Sequence, residues 1–159
     1  MFGGAANKAR VYARSLPAIE RSCGALAIDE IVDIGPPSGR AASSVAGVPV
    51  IEMGRLPAAE ISALLSESLA GFFNYNTAYL AKSSIFAAYC SHRLLPVSAP
   101  REVVAADGLE PGRHYYVAAP HEPISITKGQ EVADSAHAWY QTHKLSEQAK
   151  AFAAEIRRC

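Results

Sequence analysis

The sequence predicts an α/β domain built on a doubly wound, mainly parallel sheet with helices on both faces. Three observations predict it. Short apolar runs of strand length alternate with longer segments of helical periodicity along most of the 159 residues. One run places Phe72 and Phe73 side by side, as suits a strand covered on both faces. Half of the residues are hydrophobic and 19% are charged, a composition able to fill a core at this length. No internal repeat or composition break divides the chain, so residues 1–159 read as one domain.

The elements follow in order. Residues 5–23 carry Val11, Leu16 and Ile19 at apolar positions of a helix, with Pro17 as a kink or break because it lacks a backbone donor. Residues 30–35 form a short strand ending at Gly35. Residues 36–47, rich in Gly, Pro, Ser and Ala, read as loop where a crossover helix would otherwise stand. Residues 48–53 are the next strand. Pro57 occupies a first helical position, and Ile61, Leu64 and Leu65 supply the apolar stripe of the helix behind it. A strand over residues 70–75 and a well-buried helix over residues 79–92 come next. Residues 94–97 form a strand in which Pro96 is awkward for a central position.

Residues 101–112 contain a helical turn and a Gly-x-x-Pro-Gly loop, and residues 114–118 a further strand. Thr127 opens a helix with Gln130 completing a capping box, and Val132, Ala136, Trp139 and Tyr140 share its apolar face. Ser146 begins a last helix with Ala149, Phe152, Ala153 and Ile156 in a stripe. Right-handed crossovers between such elements give a Rossmann-like topology.

Charge and composition exclude several classes. Fifteen basic and fifteen acidic side chains balance, which argues against a protein held to nucleic acid or a membrane surface by bulk charge. No run approaches the roughly 20 apolar residues of a membrane span, and residues 1–8 lack the apolar stretch of a secretory signal. The three cysteines, Cys23, Cys90 and Cys159, are far apart and form neither a metal motif nor a disulfide framework, so a cytoplasmic location is expected. Cys90 reads as a small core residue. Neither a metal nor a cofactor is expected, and no histidine pair has the H-E-x-x-H spacing. No Gly-x-Ser-x-Gly elbow is present, so a serine-hydrolase reading has no support.

Ligands on such sheets bind beyond the carboxyl ends of the strands. Two segments qualify by position. Gly3 and Gly4 lead into the first helix, with Lys8 one turn on; Lys82, Ser83 and Ser84 stand at the start of a later one. Backbone N–H groups at a helix start attract phosphate, and lysine and hydroxyl side chains add direct contacts. Lys82 is the first candidate, with Lys8 and Arg10 weaker ones. Asp33 and Glu52, near strand ends, suit a ribose or sugar hydroxyl, although a solvated or capping role is commoner.

The order of these segments resembles the C-terminal half of GT-B glycosyltransferases, most closely the retaining group-1 type. Phe2-Gly3-Gly4 with Lys8 looks like the end of that half's first strand and its donor-facing loop. Residues 30–35 resemble the next strand. Residues 54–65 are similar to the family's G-x-L-P-x-x-E-x-x-x-L-L lead-in, and the segments from Ala70 to Val97 follow its donor-site strand–helix–strand. The resemblance implies binding of a nucleotide-diphosphate sugar, with Gly3, Gly4, Lys8, Lys82, Ser83 and Ser84 around the diphosphate.

Two departures modify that expectation. Ala81 and Tyr89 stand where the family carries two glutamates that contact the sugar and ribose. The family enzyme is about twice as long, and its acceptor-binding half has no counterpart here, so activity of the chain alone is not expected. The alternative is a non-catalytic Rossmann-like module that binds a nucleotide or a protein. A chain that starts at the end of a strand would leave a sheet edge or gap, which favours self-association.

Overall fold

The computed structural model describes residues 1–99 and 105–158. It is a mixed α/β structure. In chain order the elements are α1 (Ala5–Ala25), β1 (Ile31–Ile34), β2 (Ser44–Val45), β3 (Val48–Gly54), α2 (Ala58–Glu67) and β4 (Ala70–Phe73). A 3-10 turn (Thr77–Lys82) leads into α3 (Ser84–Ser91), followed by β5 (Leu95–Ser98), β6 (Tyr116–Val117), α4 (Ile126–His143) and α5 (Leu145–Ile156).

The strands form two three-stranded groups. In the first, β1 and β3 run parallel and β2 lies antiparallel on the far side of β3. The second, β4-β5-β6, is wholly parallel. The segment read as loop between β1 and β3 contains no helix. It contains instead a hairpin whose two-residue turn, Ala46-Gly47, has positive φ at both positions. That is the primed turn that matches the twist of the paired strands. An alanine in this position carries no sequence signal for it.

Several helix boundaries are set by side chains. α1 runs unbroken through Pro17. The helix expected from residue 79 is split, because the Ser83 hydroxyl accepts the Phe86 N–H (3.2 Å) and restarts the helix there. The capping of α4 also falls earlier than Thr127. Ser125 is the cap, its hydroxyl accepting the Lys128 N–H at 3.1 Å, and Gln130 donates forward to Asp134 rather than back to the helix start. α5 begins at Leu145, and its apolar stripe is exposed at Phe152 and Ile156.

Pro96 sits in the central strand of its group, against expectation. The Leu95 N–H donates to Leu69, so Leu95 and Val97 face β4 and Pro96 faces the other side. There β6 begins pairing only at Val97, and the missing donor breaks no ladder bond.

Phe72 joins a core with Val11, Ile19 and Cys23 of α1, with Leu95 and Val97. Phe73 joins a second core with Phe86, Tyr89 and Cys90 of α3. Adjacent phenylalanines thus feed two different cores, as strand alternation requires. Cys90 is fully buried in the second, and burial pushes its thiol well above the ordinary range. Cys23 is buried in the first. Tyr115, of the second core, stacks edge-on against Phe73.

Beside Tyr115, His114 is buried, with Nδ1 accepting the Glu110 N–H at 3.0 Å. Burial, with the neighbouring Arg113 charge, lowers its pKa. The unfolded ring takes up a proton near pH 6.5 while the folded ring stays neutral. Stability contributed here is therefore present above that pH and lost as the pH falls toward the folded value. Melting temperatures measured from pH 7 to pH 5 should fall more steeply for the native chain than for His114→Gln; equal slopes would remove His114 from the account.

Candidate functional site

The site grows out of how residues 1–3 are held. They lie parallel to β1: Phe2 pairs with Ile34, the Ile34 N–H donates to Met1 (2.8 Å), and the Gly3 N–H donates to Ile34 (3.2 Å). The chain then turns into α1 at Gly4. Gly35, just past β1, approaches Gly3 so closely that a Cβ there would lie 2.2 Å from the Gly3 carbonyl oxygen. Its φ of +118° also suits only glycine. The Gly35 N–H donates to Gly54 at the end of β3 (2.7 Å), tying three strand ends together.

Over this junction lies a cleft of about 470 Å³, lined by Gly3, Gly4, Asn7, Arg55, Ser84 and Ile85 among others. Two helix N-termini open on it. α1 has Gly4 as its cap residue, with no side-chain cap and no acidic residue in its first turn. α3 contributes Ser84, its exposed first residue. Both present the positive end of a helix dipole. Arg55 is exposed at the cleft and has no carboxylate partner among the described residues.

A second cleft, of about 520 Å³, lies past the end of β4. Arg10, Arg14, Asn74, Tyr75, Tyr79 and Lys82 line it. The Lys82 ammonium sits 5.4 Å from the centre of the Tyr79 ring, and Arg10 donates to Asn7 at 3.1 Å. A narrow recess lined by Asn7, Asn74, Tyr75 and Ile85 shares residues with both clefts. Both clefts are lined by cations and contain no carboxylate among the described residues, so both suit anions.

The residues singled out in the sequence thus divide. Gly3, Gly4 and Ser84 meet at the first cleft, and Lys82 belongs to the second. Ser83 spends its hydroxyl as the α3 cap and is buried. Lys8 lines neither cleft. It is 1% exposed, its Nζ lies 2.5 Å from Asp33 Oδ1 and donates to the Gly35 carbonyl at 3.2 Å. Asp33 is equally buried and also accepts the Tyr12 hydroxyl at 2.8 Å. This ion pair fastens α1 to the end of β1 and shapes the Gly3–Gly35 junction; Asp33 is not presented to a ribose. Sequence reading missed Arg55 and Arg14. Both are ordinary exposed arginines in sequence, and only the fold brings them to the rim.

Among the described residues no group of three or more His, Cys, Asp and Glu side chains could hold a metal ion, and no helix is long and apolar enough to cross a membrane. No protein-family description, curated protein or solved structure matches the chain.

Proposed function

We propose that this chain is a glycosyltransferase-like donor-binding domain. It holds a nucleotide-diphosphate sugar at the first cleft, with the diphosphate against the N-termini of α1 and α3 and the Arg55 guanidinium. The observation that carries this reading is the convergence of two helix starts and of Arg55, which has no carboxylate partner among the described residues, on a glycine junction that lets backbone approach a ligand. The resemblance of segment order to the GT-B donor half supports it. The finer architecture that belongs with it is one doubly wound sheet with helices on both faces. The division of Phe72 and Phe73 between the α1 and α3 cores supports that arrangement.

The domain binds rather than transfers. Among the described residues neither cleft is lined by a carboxylate or histidine able to serve as a base. Catalysis would also require an acceptor held against the donor. This same observation favours the second reading, a non-catalytic nucleotide- or protein-binding module.

The test is a thermal-shift series with UDP, GDP, ADP and their sugar conjugates at millimolar concentration. Ligand that binds only the folded state raises the melting temperature. Arg55→Ala should weaken the response, since a charge-assisted contact contributes about 1.5–3 kcal/mol, or roughly tenfold to a hundredfold in affinity. Lys82→Ala should leave it nearly unchanged; the reverse pattern would move the ligand to the second cleft. No response to any nucleotide would overturn the donor-site reading in favour of the protein-binding one.

A further inference from the structure

A cleft of about 350 Å³ lies between the turn that leads into β6 and the helix α4. Gly108, Arg113 and His114 line it from the turn, and Ser135, Ala138 and Trp139 from the helix. It shares no lining residue with the two clefts at the strand ends.

Hydrogen bonds fix both walls. The Trp139 Nε1–H donates to the Asp107 carbonyl at 3.0 Å and holds α4 against the turn. Within the turn the His114 N–H donates to the Glu110 carbonyl at 2.9 Å, and the Glu110 N–H donates back to His114 Nδ1 at 3.0 Å. The backbone thus fixes the imidazole. In the neutral ring Nδ1 is the acceptor, so Nε2 carries the hydrogen. That N–H has no partner among the described residues. The residue is only 5% exposed, yet Nε2 is not sealed from solvent, and the ring lines the cleft. The free donor therefore opens on it.

Two further donors stand with it. Arg113 lies 3.6 Å from Glu110, but both side chains are more than half exposed, so the pair leaves most of the guanidinium charge available. Ser135 brings a hydroxyl from α4 that has no partner among the described residues. No carboxylate lines the cleft among the described residues. A buried neutral donor, a guanidinium and a hydroxyl, with no anionic acceptor, make a site for an oxyanion.

We propose that this cleft binds the phosphoryl group of a small phosphate monoester, held by the His114 Nε2–H, the Arg113 guanidinium and the Ser135 hydroxyl. Its volume is near the lower end of the roughly 300–1,000 Å³ of small-molecule sites, which suits a short ester. Binding is coupled to protonation of His114. Burial and the Arg113 charge keep the free ring neutral; Glu110 on the same turn pulls the other way, and His143 on α4, stacked on Trp139 at 4.2 Å, adds repulsion when charged. A bound dianion supplies the counter-charge that the buried ring lacks, so the ring takes up a proton with the ligand and affinity rises as the pH falls. This inference is independent of nucleotide binding at the strand ends.

The test is an NMR titration of the full chain with inorganic phosphate, phenyl phosphate and sulfate, at an ionic strength held constant with sodium chloride. Each anion should shift the His114 ring resonances and the Arg113 and Ser135 amides, with phenyl phosphate binding at least as tightly as inorganic phosphate. Arg113→Gln, at an exposed position that leaves the fold intact, should weaken binding about tenfold or more. Arg55→Ala should leave it unchanged, which separates this site from the nucleotide cleft. Sulfate keeps its charge across this range, so it isolates the ring: it should bind about threefold or more tighter near pH 5.5 than near pH 7.5, and His114→Gln should lose that dependence. If His114→Gln fails to fold, the native ring decides, since saturating sulfate should raise the midpoint of its titration. Equal shifts with chloride alone, exclusion of phenyl phosphate, or unchanged affinity in Arg113→Gln would each overturn the proposal. So would a pH dependence that survives His114→Gln, since it would then belong to His143.

Discussion

Lys8→Met should destabilise the protein by about 3–5 kcal/mol, the usual cost of leaving one member of a buried ion pair without the other. Lys8 and Asp33 are both almost wholly excluded from solvent and lie 2.5 Å apart. Methionine fills a similar volume, so little of the loss arises from packing. What is lost is the charge facing Asp33, which keeps only the Tyr12 hydroxyl, and the donor to the Gly35 carbonyl. Urea denaturation gives the number. The double substitution Lys8→Met with Asp33→Asn removes the orphaned charge and keeps an acceptor for Tyr12, so it should recover more than half of the loss. A single-variant loss under about 1 kcal/mol would show that Asp33 is not held as a buried carboxylate by Lys8.

Gly35→Ala should cost about 3 kcal/mol or more. A left-handed backbone charges an alanine roughly 1–2 kcal/mol, and overpacking adds typically 1–3 kcal/mol. Both act here, because the new Cβ would meet the Gly3 carbonyl oxygen at 2.2 Å, and backbone cannot swing aside as a side chain can. Gly39→Ala separates the two contributions. Its φ is +67° and its Cβ would meet nothing within 4 Å, so only the backbone cost applies. Equal losses in the two variants, by urea denaturation, would mean that the Gly3–Gly35 contact is not tight. Because that contact floors the first cleft, Gly35→Ala should also abolish any nucleotide response the native chain shows.

Much of the element order was legible from local pattern. Pro57 ahead of Ile61, Leu64 and Leu65 marks α2, whose observed span begins at the next residue, Ala58. The continuous apolar character around Phe86 and Cys90 marks a helix that is indeed buried. What failed locally were decisions made by single side chains or by context. Ser83 could continue a helix or cap one, and its hydroxyl chose the cap. Ala46 shows no turn preference, yet pairing of Val45 with Val48 forces it to positive φ. The stretch 101–112, in which a helical turn is expected, falls partly outside the described residues, and Cys159 lies wholly outside them. Strand expected over residues 114–118 is limited to Tyr116–Val117.

The candidate site was legible only in part. Glycines and helix starts leave local marks, so Gly3, Gly4 and Ser84 could be named in advance. The fate of a lysine could not. Lys8 and Lys82 are alike in sequence terms, each near a helix start, but one is buried against a carboxylate 25 positions away and the other lies open beside Tyr79.

Composition and periodicity by themselves determined that strands and helices alternate, where most of them lie, and which helix beginnings could attract an anion, because these depend on neighbours in the chain. Tertiary structure alone decided that Gly35 presses on Gly3, that Arg55 reaches the rim, that Lys8 is consumed by Asp33, and that Arg113 and His114 share a cleft with Ser135. Each of those depends on distances between residues remote in the chain, which side-chain volume and charge pairing set only once the layers have packed.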